Sequence, residues 1–129
     1  MQIHQSAEDY LETILMLSQR MGKVRSIDVV NELGFTKASV SIAMKKLREN
    51  GYIAVDGEGN LTLLEPGLEI AQRIYSRHQL LTHFFVQLGV DEQTAAEDAC
   101  KAEHILSEQT LEKIRASALR NDATHPQAK

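Results

Sequence analysis

Residues 26–64, SIDVVNELGFTKASVSIAMKKLRENGYIAVDGEGNLTLL, decide the fold. Ser26 is placed to cap a short helix with Asp28 in its first turn, Val29, Val30 and Leu33 facing inward, and Gly34 as its stop. After the connection Phe35-Thr36, Thr36 can cap a helix over residues 37–50. Its apolar positions Val40, Met44 and Leu47 follow an i, i+4, i+7 spacing. Lys37, Ala38, Ser41, Ile42, Lys45 and Arg48 are left outside. Gly51 ends that helix, and YIAVDGEGNLTLL reads as two short strands around a turn. Asp56-Gly57 and Gly59-Asn60 give the turn residues that tolerate positive φ. Helix, tight glycine-containing turn, helix and hairpin together predict a winged helix-turn-helix, whose second helix enters the major groove. Such a fold also serves as an interaction scaffold, so it does not by itself establish DNA binding.

Charge points the same way. Residues 36–48 hold three lysines, one arginine and no acid, on a chain whose formal net charge is −4. A basic patch confined to one face of an acidic protein suits a selective DNA reader, although a solvated helix face has the same composition. Lys37, Ala38, Ser39, Ser41 and Ile42 stand near the first turns of the recognition helix, where base edges are reached. Arg25, Ser26, Lys45, Lys46 and Arg48 are better placed for phosphates, and the wing around Gly57 and Asn60 for the flanking backbone.

Outward from this module the pattern is helical on both sides. Residues 6–20, SAEDYLETILMLSQR, predict a first helix capped by Ser6, stopped by Gly22 and apolar on most of its circumference. Asp9 and Glu12 share one face of it, which is costly if buried and unpaired, and ordinary if they are exposed acids near the helix N-terminus. Glu65-Pro66-Gly67 starts a long helix over residues 66–87. Its stripe Ala71, Ile74, His78, Leu81, Phe85 alternates in threes and fours, as an interhelical seam does. A histidine on that stripe is either a satisfied core residue or a ligand. Asp91 caps a further helix containing AEDACKAEHIL (residues 96–106), which places Cys100, Glu103 and His104 within one sector about 100° wide. Sulfur, oxygen and imidazole donors suit a borderline divalent metal, and a half-buried cysteine beside a solvated Glu-His edge is the competing reading. Ser107 caps a last helix over residues 108–120. The expected organisation is a winged DNA-binding domain over 1–65, a helical domain over 66–121 that becomes a metal-binding and dimerisation domain if the candidate donors are ligands, and a flexible tail over 122–129.

Composition sets the limits. With 129 residues, six of them Phe or Tyr and none Trp, the core must be mainly aliphatic. Two prolines and seven glycines favour a mainly α fold. A single cysteine excludes an intramolecular disulfide framework. No start resembling a signal peptide and no apolar run near the roughly 20 residues of a membrane helix lead to an expected cytosolic setting. Leu81, Phe84, Phe85, Leu88, Ala95, Ala99, Leu106, Leu111 and Ile114 offer more apolar surface than isolated helices could bury, which predicts a homodimer.

Five stretches together resemble the diphtheria toxin repressor family of metal-dependent repressors, in its short two-domain branch typified by the manganese transport regulator. They are SAEDYLETI (6–14), IDVVNELGFTKASVSIAMKKLRENGYI (27–53), LTLLEPGLEIA (61–71), YSRHQLLTHFF (75–85) and AEHILSE (102–108), within a similarity covering about residues 5–120. The resemblance implies a cytosolic homodimer that binds palindromic operators when loaded with Fe(II) or Mn(II) and shuts off metal-uptake genes. It implies the metal residues Asp9, Glu12, His78, Cys100, Glu103 and His104, with Zn(II), Co(II) or Ni(II) able to bind in vitro. It also implies no membrane association and no small-molecule substrate.

Two departures from the family pattern stand out. The manganese-type branch has glutamate where this chain has Cys100, and the iron-type branch has methionine where this chain has Asp9. Thr82 and Ala96 stand where the iron-type ancillary site has a carboxylate and a histidine. The C-terminal SH3-like domain of the longer branch is not expected. A same-fold regulator answering to Zn(II), Co(II) or thiol redox state is the alternative. A metal-dependent hydrolase is a remoter one, since the donors lie on helices without a long substrate loop.

Overall fold

The computed structural model describes residues 5–124, with side chains described over 6–118. The order is α1 (Gln5–Met21), α2 (Ser26–Leu33), α3 (Lys37–Glu49), β1 (Ile53–Val55), β2 (Leu61–Leu63), α4 (Glu65–Gln87), α5 (Glu92–Ala102) and α6 (Glu108–Thr124). Packing divides the chain into two compact units, Met1–Arg73 and Ile74–Lys129. No helix among the described residues is long and apolar enough to cross a membrane.

The first unit is a winged helix-turn-helix. α1 packs on α2, α3 and β2, and α2 packs on α3. Leu11, Ile14, Val24, Val29, Val40, Leu47 and Ile53 are buried to 2 % exposure or less. Each such aliphatic side chain contributes roughly 1.5–3 kcal/mol relative to exposure. Gly34 closes α2 in the left-handed region at φ 72°, its N–H donating to the Val30 carbonyl at 2.8 Å, as the sequence predicts. Thr36 Oγ1 accepts the Ser39 N–H at 3.1 Å and so caps the recognition helix α3. Ser26 is not the cap of α2. Arg25 occupies that position, and Asp28 accepts the Arg25 backbone N–H at 2.9 Å. The acid in the first turn thus satisfies the backbone group that the predicted serine hydroxyl would have left alone.

β1 and β2 pair antiparallel, with Ile53 opposite Leu63 and Val55 opposite Leu61, and an isolated bridge joins Arg25 to Asn60. The start of α4 lies so close to β1 that a Cβ on the buried Gly67 would collide with the Tyr52 carbonyl, which fixes glycine at that position.

In the second unit Leu81, Ala99 and Leu111 form a core, with Leu80, Phe85, Ala102, Leu106 and Ile114 packed around it. Leu81, Ala95, Ala99 and Leu111 are therefore internal to the subunit, whereas Leu88 is 67 % exposed. Asp91 caps α5 by accepting the Thr94 N–H at 3.1 Å, and Ser107 caps α6 by accepting the Thr110 N–H at 3.1 Å. α6 continues through Thr124, past the expected start of a tail at 122, and the rest of that tail lies outside the described residues.

Candidate metal centre and nucleic-acid face

The predicted helix carrying Cys100, Glu103 and His104 forms as α5 but closes early, at Ala102, with Glu103 still at helical φ −61° and ψ −20°. Glu103 is the C-cap, its N–H donating to the Ala99 carbonyl at 2.9 Å, and His104 lies in the turn that follows. Cys100 stays on the last turn of α5 and is exposed, while Glu103 is completely buried. The triplet thus differs in burial, an exposed cysteine against a buried carboxylate and a nearly buried imidazole.

His78, on α4, completes the inward group. Its Nδ1 lies 3.0 Å from Glu103 Oε2, and His104 Nε2 lies 3.4 Å from Glu103 Oε1. The His78 side chain is 22 % exposed and that of His104 2 %. Among the described residues Glu103 Oε1 makes no hydrogen bond, the approach of His104 being an ion-pair distance without hydrogen-bond geometry. Removing a carboxylate from water costs several kcal/mol unless charge and hydrogen bonds compensate. An oxygen donor with one oxygen unbonded, set between two imidazoles, fits a divalent cation in chemistry and in electrostatics.

Arg77 lies beside this group, and the sequence alone does not reveal it. Its guanidinium donates to the Glu103 backbone carbonyl at 3.3 Å and pairs with the Glu108 carboxylate at the start of α6. An arginine in a polar-apolar helix carries no local sign that it reaches a carbonyl 26 positions away. Thr82, one turn beyond His78, has its hydroxyl buried with no hydrogen-bond partner among the described residues.

On α1, Asp9 is half-buried and Glu12 is 6 % exposed, so Glu12 is not a solvated acid at a helix end. The neighbouring Glu8 pairs with Arg73 at 3.5 Å.

The face of α3 predicted to meet DNA is open. Lys37, Ala38, Ser39, Ser41, Ile42, Lys45, Lys46 and Arg48 are all exposed, as is Arg25, and Ser26 is half-buried. Ile42, 59 % exposed, is a large apolar side chain offered from the same face. Ser39 is partly engaged in the cap, since the Thr36 hydroxyl donates to its Oγ at 2.9 Å. The wing is held from within. Asp56 Oδ1 accepts the N–H groups of Asn60 and Glu58, each at 2.9 Å, and Oδ2 accepts Asn60 Nδ2 at 3.0 Å. These bonds, the Asn60 N–H first, hold the Asp56 carboxyl below its ordinary value. Gly57 is exposed and Gly59, at φ 86°, lies against the Arg25 guanidinium.

Comparison with known proteins agrees with both halves. Residues 2–61 match the family described as the iron dependent repressor, N-terminal DNA binding domain. Residues 64–127 match the iron dependent repressor, metal binding and dimerisation domain. An uncharacterized HTH-type transcriptional regulator of Methanocaldococcus jannaschii is 37 % identical over 86 % of this chain and 90 % of its own length. The HTH-type transcriptional regulator MntR of Bacillus subtilis is 34 % identical over 84 % of this chain and 77 % of its own. A solved manganese-dependent transcriptional repressor in complex with manganese superposes with a TM-score of 0.78 at 29 % identity. That match covers 87 % of this chain and 52 % of that one, so the chain spans about half its length. The chain belongs to the iron-dependent repressor family, the family of the diphtheria toxin repressor, and to its MntR-like branch.

Proposed function

We propose that this protein is a metal-dependent transcriptional repressor that binds palindromic operator DNA as a homodimer when loaded with Mn(II) or Fe(II), and that it controls metal-uptake genes. The observation that carries this reading is the Glu103 carboxylate, wholly buried between His78 and His104 with one oxygen unbonded. The hydrolase alternative falls away, because the family is one of repressors.

In this reading His78, Glu103 and His104 hold the ion, Asp9 and Glu12 supply further hard oxygen donors, and Cys100 is a soft donor at the rim. When bound, the cation supplies positive charge that offsets clustered carboxylates and a coordination sphere that they share. Asp9 and Glu12 are on the helix that packs against α2 and α3, so fixing them restrains the helix-turn-helix. Lys45, Lys46, Arg48 and Arg25 hold phosphates, while Ser41, Ala38 and Ile42 meet base edges. In a twofold dimer the two copies of α3 would be set for major grooves one helical turn apart, about 34–36 Å. Metal need only favour that arrangement over others in the ensemble.

Fluorescence anisotropy on a DNA fragment selected in vitro with Mn(II)-loaded protein tests the reading. Binding about 5- to 150-fold tighter with Mn(II) or Fe(II) than with chelator is expected. Equal binding in the two conditions contradicts it.

A further inference from the structure

The metal-binding turn is held by a clasp whose members are not themselves metal donors. We infer that Arg77 is the positioning residue of that turn and that Glu108 is its anchor, an inference that rests on the metal-site reading above. Arg77 precedes His78 on α4, and one nitrogen of its guanidinium donates to the Glu103 carbonyl at 3.3 Å. The other terminal nitrogen pairs with Glu108, the first residue of α6. A single side chain thus joins the helix bearing His78, the turn bearing Glu103 and His104, and the helix that follows.

The carbonyls at a helix C-terminus lack intrahelical partners, and a guanidinium there both satisfies one and complements the negative end of the helix dipole. Here that carbonyl belongs to Glu103 itself. Fixing the Glu103 backbone sets where its carboxylate emerges, and it sets the neighbouring His104. The Arg77 side chain is 16 % exposed, which shelters its hydrogen bond from water, while Glu108 is 69 % exposed. Much of the attraction to Glu108 is therefore screened, and its role is to aim the guanidinium. Partners one step outside a ligand set typically change metal affinity 10- to 100-fold when removed.

The test uses the full-length protein with Co(II) as the probe, reading affinity by competition, the ligand-field absorption, and melting of the metal-free protein. Arg77→Met should weaken Co(II) binding about 10- to 100-fold and alter the absorption bands, with metal-free melting shifted by only a few degrees. Arg77→Lys should recover part of the affinity. Glu108→Gln should weaken binding less than Arg77→Met does, and the double variant should bind no more weakly than Arg77→Met alone. Should Arg77→Met fail to fold, the exposed Glu108→Gln carries the test. Unchanged affinity and spectrum, or a weakening that only follows the drop in melting temperature, overturns the inference. Wild-type protein that binds no Co(II), or binds it regardless of Glu103→Gln, overturns the metal-site reading and the clasp with it. Wild-type binding that needs Glu103 but ignores Arg77 overturns the clasp alone.

Discussion

His78 Nδ1 and Glu103 Oε2 stand 3.0 Å apart, joining α4 to the turn after α5 across 25 positions of sequence. At that distance the imidazole N–H can donate to the carboxylate, yet Glu103 Oε1 has no hydrogen bond of its own among the described residues. The pair is half satisfied. A buried carboxylate in that condition is costly in the low local dielectric, and an added cation would offset that cost.

Glu103→Gln separates binding from folding. The amide has nearly the same shape and no charge, so metal-free protein should melt within a few degrees of wild type. Mn(II) affinity should fall by more than about 100-fold, beyond the range for groups outside the ligand set. Calorimetric titration and thermal melting of the two proteins check both halves.

The basic face of α3 makes a prediction in salt. Lys45→Ala and Lys46→Ala should weaken DNA binding on all sequences alike and lower the salt slope by about one for each phosphate no longer neutralised. Ile42→Ala should leave the slope unchanged and relax discrimination at one base pair, where its side chain meets a thymine methyl. Binding isotherms at several salt concentrations distinguish the three. An unchanged slope in both lysine variants would place the docking face elsewhere.

Asp56 links the wing to pH. Its carboxyl is held below the ordinary value by the Asn60 N–H and then the Asn60 side chain, with the Glu58 N–H adding less. A carboxyl depressed in the fold contributes stability that is fully present above its unfolded pKa and is lost as pH falls through its folded one. Asp56→Asn should therefore be less stable than wild type near neutrality, with the gap closing in acid below the usual carboxylate range. Denaturant unfolding at a series of pH values measures the gap.

Much of this architecture is legible in local sequence, and the part that is not has a physical cause. Gly34, Thr36, Asp91 and Ser107 end or begin helices through bonds to residues three or four positions away, so their roles can be read from spacing. The close of α5 cannot. Residues 96–106 contain no glycine or proline, and the Glu103 carbonyl at that end is met by Arg77 from another helix. Arg25 in place of Ser26 as a cap shows the reverse case, a local signal overridden because Asp28 serves the backbone directly. His78, Glu103 and His104 can be named from the sequence, but their mutual distances need the fold.

Cys100 bears on the choice of metal. In the proposed ligand set, a Cys100 sulfur donor would favour Fe(II), Co(II) and Zn(II) over Mn(II), while Asp9 would pull toward the harder ion. Cys100→Glu, titrated anaerobically under reducing conditions, should shift the response from Fe(II) toward Mn(II). Identical responses in wild type and variant would remove Cys100 from the ligand set.

The most direct test is reciprocal linkage between metal and DNA in one protein. Mn(II) affinity is measured by calorimetry with and without saturating selected DNA, and DNA affinity with and without saturating Mn(II). Coupling through a shared equilibrium requires the two ratios to be equal, at about 5- to 150-fold. Mn(II) affinity that DNA leaves unchanged would contradict the account.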